Sequence, residues 1–321
     1  MAGTLEIGTL NIESTDNLHK ATVVNSGTTN TTIDVSTYSP FTGFKNYIIN
    51  GNFDVWQRGT SFSTSIGYGA DRWWWSTADT ISVNKTIFNE QKNALSIAKS
   101  TTVDSCYIAQ SIEDVRTVAG KSVTLSFYAK ANASTTLKVF GYQLFGTGGS
   151  SAVSIPVQTG TLTTSWTKYT FTFAIPSVEG KTIGTNNNLR ISIQFGADNT
   201  WTGTGYLAQV QLEEGSVATP FEQRPYGLEL KMCQYYARPI PSSWDIALGS
   251  GYVYGQFHMT FEPMRVTPTV TTIGTFTAGG GANGVPLIGV SNGHLGITNN
   301  SNNWTPGNGI GYSGGFLSAE L

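Results

Sequence analysis

Between about Lys45 and Arg224 the chain breaks into short runs of alternating apolar and polar residues, divided by glycine and polar turns. The runs read "KNYIINGNFDVW", "DRWWWS", "TISVNKTIF", "ALSIAKS", "YIAQSIE", "SVTLSFYAKA", "TLKVFGYQLF", "KYTFTFAIP", "LRISIQFGA" and "YLAQVQLEEG". In "VTLSFYAKA", Val123, Leu125, Phe127 and Ala129 share one side while Thr124, Ser126, Tyr128 and Lys130 share the other. That period of two is the mark of a half-buried strand. About ten such strands predict a two-sheet sandwich, most naturally a jelly roll.

The pattern changes on both sides of this block. Residues 1–44 hold two strand-like pieces, "TLEIGTL" and "TTIDVST", with few large apolar side chains, too few for a core of their own. They are expected to form an extended arm that docks on another subunit or a larger assembly. The segment "PYGLELKMCQYYARP" begins with proline, places Leu228, Met232 and Tyr235 at helical spacing and ends at Pro239 and Pro241, which predicts a connector helix within residues 226–241. Residues 242–321 return to β patterning around a Gly/Asn-rich passage, and a small C-terminal β domain is expected there. The expected fold is therefore all-β: an arm (1–44), a jelly-roll sandwich (45–225), one helix (226–241) and a C-terminal β domain (242–321), whose thin interior favours packing between copies.

Composition agrees with this class and narrows the partners. Charged residues are only 12% of the 321, and the formal net charge is −2, which leaves no basic field for nucleic acid. No stretch reaches the length of a membrane helix, and the N-terminus lacks the basic and apolar regions of a secretory signal, so folding in a cytoplasm and no membrane insertion are expected. Cys106 and Cys233 match no metal spacing and read as buried thiols. His19, His258 and His294 lie in different segments without a second ligand nearby, so neither a metal nor a cofactor is expected.

Two kinds of chemistry remain. Glycoside hydrolysis needs only two carboxylates, and Asp54 with Asp71 is one candidate pair; Glu213 and Glu214, adjacent on a strand, would face opposite ways. An ion pair or turn-capping role for Asp71 competes with catalysis, since Arg58 and Arg72 are close in sequence. Tryptophan is the other resource. Alternation in "DRWWWS" sends Trp73 and Trp75 to one side and Trp74 to the other. Trp56 and either Trp73 or Trp75 are read as core anchors, whereas Trp74, Trp201 and Trp304 are candidates for an exposed surface that stacks on sugars or fills partner pockets.

The stretches "NYIINGNFDVWQRGTSF", "ADRWWW", "VTLSFYAKA" and "AQVQLEEGSVATPFEQRPYGLELKMCQYY" together resemble bacteriophage and prophage virion proteins of the tail-fibre type, whose central domain is similar to jelly-roll carbohydrate-binding modules. The resemblance spans roughly residues 45–238; "MRVTPTVT" and the closing "SAEL" share it less specifically. It implies a non-enzymatic component of the phage particle, trimeric, made in the bacterial cytoplasm and displayed on the virion surface. Residues 1–44 would attach to other virion proteins and the β domains would face host-surface polysaccharide. A capsid decoration protein or head fibre is the alternative, and a depolymerase using Asp54 and Asp71 a more distant one. The shared residues Trp56, Arg58, Asp71, Arg72, Trp73, Glu213 and Pro220 read as framework, with Asp71 and Arg72 as a fixed ion pair and Pro220 ending the last strand. Trp74, Trp201 and Trp304 stay the glycan-binding candidates.

Overall fold

A computed structural model describes residues 10–11, 20–23, 31–34, 44–89, 92–102, 105–196, 201–240, 243–246, 254–273, 276–278, 286–300, 309–312 and 315–321. The chain divides into two compact units, Met1–Lys45 and Asn46–Leu321. In the first, β1 (Leu10–Asn11), β2 (Lys20–Val23) and β3 (Thr31–Asp34) form an antiparallel sheet in that order.

The second unit opens with β4 (Ser61–Tyr68), β5 (Trp74–Asn89), β6 (Lys92–Lys99), β7 (Cys106–Glu113), β8 (Ser122–Ala131), β9 (Thr135–Leu144), β10 (Val153–Leu162), β11 (Thr167–Ala174), β12 (Asn188–Phe195) and β13 (Gly203–Glu214). Their order is β10-β9-β12-β7-β5-β6-β13-β8-β11, with β4 added on β5. The long strand β5 joins two layers. Its first residue, Trp74, pairs with Ala109 of β7, while Ile81–Asn89 pairs with β6. A register break lies between, where β4 Thr64 meets Ile81 but Ile66 meets Ser76, and a bulge of this kind bends a strand. The front layer (β10-β9-β12-β7) and the back layer (β6-β13-β8-β11) thus close on one core, to which Leu137, Val139, Ile191 and Ile193 contribute from the front and Leu95, Ile97, Leu125, Phe127 and Leu207 from the back. This is the expected jelly-roll sandwich.

Two local differences from the sequence reading have physical causes. "KNYIINGNFDVW" is irregular loop rather than strand, because asparagine side chains replace the ladder. Asn46 accepts from the amides of Ile48 and Leu212, and Asn50 accepts from the Val55 amide while donating to the carbonyls of Val55 and Asp71. The helix α1 (Tyr226–Gln234) follows Pro225, yet it buries Glu229 and Cys233 rather than the Leu228, Met232 and Tyr235 stripe. Glu229 is drawn inward because its carboxylate accepts the Asn50 amide and lies 3.4 Å from Arg224. No helix of the described residues is long and apolar enough to cross a membrane.

The C-terminal strands are β14 (Ala237–Ile240), β15 (Ser243–Ile246), β16 (Tyr254–Thr260), β17 (Thr269–Ile273), β18 (Phe276–Ala278), β19 (Pro286–Ser291), β20 (His294–Asn300), β21 (Gly309–Tyr312) and β22 (Gly315–Ser318). They form three sheets, ordered β14-β22-β17, β15-β21-β18 and β16-β20-β19. Ile240, Met264, Leu295, Leu317 and Ala319 make a second, smaller core. Asn46–Leu321, which spans the boundary expected at residue 242, clusters as one compact unit. Polar ties explain this. Gln57 donates to the Ala237 carbonyl, Tyr68 to the Leu321 carbonyl, Tyr236 to Glu113, and Arg265 to Asn186. Both cysteines are free and buried, as expected.

Candidate functional site

The outward face of the front layer is set by strand alternation. On β12, Leu189, Ile191, Ile193 and Phe195 enter the core, so Asn188, Arg190, Ser192 and Gln194 point away from it. On β7, Tyr107, Ala109, Ser111 and Glu113 share that face, opposite the core residues Ile108 and Ile112; on β9, Lys138, Phe140 and Tyr142 lie opposite Leu137 and Val139. The register arranges them in rows across the strands: Ser111, Arg190 and Tyr142; then Trp74, Ala109, Ser192 and Phe140; then Tyr107, Gln194 and Lys138.

Four rings cross this surface in sequence. Trp74 meets Tyr107 edge-on with centroids 6.0 Å apart, Tyr107 meets Phe140 at 5.8 Å, and Phe140 meets Tyr142 at 6.2 Å. Tyr142 is 39% exposed, whereas Ala109, Ser111 and Ser192 between the rings are buried and form a floor. The Arg190 guanidinium lies 4.7 Å from the Trp74 ring centroid. Burial holds Arg190 below the usual arginine value, against the opposing pull of Tyr107, Tyr68 and Tyr142.

Part of the polar equipment of this face is unsatisfied. Among the described residues, nine buried side-chain polar atoms lack a hydrogen-bond partner, and five of them are here: Trp74 Nε1, Ser111 Oγ, Asn188 Oδ1, Arg190 Nε and Ser192 Oγ. Leaving a buried polar atom unbonded costs about 1–3 kcal/mol, and most buried polar groups in proteins are bonded. Polar groups set between flat rings suit an amphipathic ligand, with ring faces for its apolar patches and the half-buried Arg190 guanidinium for its polar groups.

One end of the face rests on a buried ion network. Arg72, at φ 73°, bonds Glu320, donates to the Ser111 carbonyl at 2.5 Å and lies 3.5 Å from the Tyr236 ring centroid. Arg58 bridges Asp71 and Glu320, each at 3.2 Å. The ion pair expected between Asp71 and Arg72 is thus replaced by Arg58–Asp71 and Arg72–Glu320. The Asp71 carboxylate takes the Gln57 amide and side chain, while the Arg72 guanidinium reaches Glu320 and Ser111. Burial pushes Asp71 up to about 6, with Arg58 and Gln57 pulling it down; burial pushes Tyr68 up to about 12.

The other sequence candidates are placed as follows. Trp74 is half-buried on the front face, and Trp73 and Trp75 are in the core. Trp201 corrects the expectation of an exposed ring: it is 7% exposed and stacks on Phe195 at 6.2 Å. Gly196, at φ 80°, makes this possible, since a Cβ there would sit 2.0 Å from the Trp201 Cβ. Trp304 lies outside the described residues. Trp56 packs beside Phe62 and donates to the Phe53 carbonyl. Glu213 is buried and accepts from Thr219 and Gln211, and the Pro220 carbonyl accepts from Gln211. The carboxylate pair considered for hydrolysis is occupied: Asp54 accepts from Asn52 and Asn93, and Asp71 is fully buried, out of reach of a polymer.

Tyr107, Phe140, Tyr142, Arg190, Ser192, Asn188 and Ser111 were not candidates from sequence. Their signal was present in "LRISIQF" and "TLKVFGYQLF", where one face is aliphatic and the other mixes polar and aromatic residues. A separate polar cavity of about 450 Å³ is lined by Glu113, Asp114, Arg116, Asn186, Asn187, Tyr235 and Arg265. Most of its polar groups are already bonded, through Arg116–Asp114, Arg265–Asn186, Tyr236–Glu113 and the Val115 amide donating to Asn187. The aromatic face is therefore the stronger site. Among the described residues there is no group of three or more His, Cys, Asp or Glu that could hold a metal.

Comparison with known proteins bears on the same segment. The family CBM_4_9, described as a carbohydrate binding domain, matches residues 45–204. The xylan-binding domain CBM22-1 of Paenibacillus barcinonensis Xyn10C is similar at 16% identity and TM-score 0.33, covering 49% of this chain and 94% of that one. The N-terminal cellulose-binding domain of Cellulomonas fimi β-1,4-glucanase C gives 17% identity and TM-score 0.33, with 52% and 95% covered. Tailspike protein 4 of bacteriophage CBA120, in its enzymatically active domain, gives 16% identity and TM-score 0.33, with 53% of this chain and 21% of that chain covered. No curated protein matches the chain. The aromatic face falls wholly inside the family match, and residues 45–204 thus carry a carbohydrate-binding domain of the CBM_4_9 type.

Proposed function

We propose that the chain is a non-enzymatic virion protein of the tail-fibre type that holds host-surface glycans on the outer face of β5, β7, β12 and β9. The observation that carries the glycan part is the set of five unbonded polar atoms interleaved with four rings inside the carbohydrate-binding domain. The virion part rests on the sequence resemblance. In this reading residues 1–44 attach to other virion proteins, the chain assembles as a homotrimer, and the assembled protein is displayed on the particle after synthesis in the bacterial cytoplasm.

The test is binding of the labelled full-length protein to a panel of bacteria and to their isolated surface polysaccharides, with Trp74→Ala alongside. Saturable binding that the polysaccharide competes and the variant loses supports the reading; equal binding by both proteins removes the site from this face. Immunogold labelling of phage particles separates the locations, since label at the tail supports a fibre and label on the head supports the capsid-decoration or head-fibre role instead.

A further inference from the structure

We infer that the glycan taken by this face is acidic, with a sugar carboxylate seated on Arg190. The inference rests on the glycan-binding reading above and adds the ligand's charge to it.

Arg190 is an uncommon arginine. It is half-buried on a central strand of the front layer, with Ser111 and Tyr142 beside it in the register. Its guanidinium lies against Trp74, and its Nε is buried without a partner. It makes no ion pair among the described residues. Among the described residues, the ionisable groups that act on it are three tyrosines, Tyr107, Tyr68 and Tyr142, and no carboxylate. The carboxylates of this region are engaged elsewhere: Glu113 accepts from the Tyr236 hydroxyl, and Glu320 is held by Arg58 and Arg72.

A buried cation is normally matched by an anion, because desolvating the charge alone is costly. Arginine presents a planar fork that suits a carboxylate, and a charge-assisted bond of this kind is roughly twice as strong as a neutral one. The neighbouring groups extend the fit. Asn188 and Ser192 flank Arg190 on the same strand and face, at steps of roughly 7 Å for two residues of rise. Each carries an unbonded oxygen, as does Ser111 across the register. A sugar acid bound by its carboxylate on the Arg190 guanidinium would bring a ring face to the aromatic side chains beside it.

The experiment titrates the full-length protein with polygalacturonate, alginate, hyaluronan and polysialic acid, each beside its carboxyl-reduced counterpart, and with xylan and cellulose oligomers as neutral probes. The expected result is binding of at least one acidic polymer about 10- to 100-fold tighter than its reduced form. That preference should disappear in Arg190→Gln and survive in part in Arg190→Lys, with the melting temperature of each variant checking the fold. Binding of neutral polymers alone, or equal binding of acidic and reduced forms, overturns the acidic inference and leaves the glycan reading standing. Binding of none of the polymers counts against both, and an Arg190→Gln variant that keeps its acid preference overturns the assignment to Arg190.

Discussion

The two outer faces of the sandwich carry nearly the same aromatic equipment, and only one of them is left unfinished. On the back layer Phe88, Tyr128, Trp166 and Tyr206 pack at centroid distances of 5.0, 4.7 and 6.2 Å, and Lys130 lies 5.2 Å and 4.9 Å from the rings of Trp166 and Tyr206. The front layer likewise has four rings and a cation, Arg190, set against one of them. Among the described residues, however, no side-chain atom of the back face is left buried without a bond, against five on the front. Ser96 bonds the Asn84 carbonyl, Ser61 bonds the Asn84 side chain, and Thr124 bonds Thr172 and the Gly215 carbonyl. Exposed rings alone therefore do not mark a binding face. The unsatisfied donors and acceptors beside the rings are what distinguish the front face from the back.

The largest test of this contrast is at the support of the front face. Glu320→Ala leaves the buried Arg72 without its carboxylate, and removing one partner of a buried ion pair costs about 3–5 kcal/mol. Denaturant unfolding should show that loss, and glycan affinity should fall with it, since Arg72 also holds the Ser111 carbonyl. The next effect is a pH dependence from Asp71. Its pKa in the fold, about 6, is above its ordinary value of 3.8, so the fold favours its neutral form. This contribution to stability is fully present below about 4 and is lost as pH rises through about 6. It amounts to at most about 2–3 kcal/mol at roughly 1.4 kcal/mol per unit. The melting temperature of wild-type protein should therefore fall more steeply between pH 5 and pH 7 than that of Asp71→Asn.

Smaller effects separate the two faces directly. Trp74→Ala should weaken glycan binding about 30-fold, as expected when an aromatic platform worth about 2 kcal/mol is lost, while Trp166→Ala should leave binding unchanged and lower stability by about 1–2 kcal/mol through lost packing. The smallest effect carries an opposed pair of signs. Ser192→Ala removes an unbonded hydroxyl, so unliganded stability should stay level or rise by up to about 1 kcal/mol while affinity drops severalfold. A stability loss together with unchanged affinity would show that Ser192 is a structural residue.

Period-two alternation made the sandwich legible in sequence, because burial on one side of a strand is local information. Val123, Leu125, Phe127 and Ala129 are all fully buried, and Trp73 and Trp75 part from Trp74 as their spacing requires. Strands built from small polar residues escaped that test: β4 ("SFSTSIGY") and β10 ("VSIPVQTGTL") carry too little apolar contrast to show a period. The long-range polar partners were equally hidden. Glu320 meets Arg72 across 248 residues of sequence, and nothing near either residue announces the other. The front face itself is assembled from four strands whose neighbours are fixed only by sheet order, so its rows could not be read before the register was known.

The most direct test of the claim that the front face alone takes the glycan is affinity electrophoresis of wild-type, Trp74→Ala and Trp166→Ala proteins through gels containing the acidic polysaccharide bound best by the wild type. The account predicts that wild type and Trp166→Ala are retarded equally and that Trp74→Ala migrates as it does without polymer. Retardation lost in Trp166→Ala and kept in Trp74→Ala would place the binding on the back layer and contradict it.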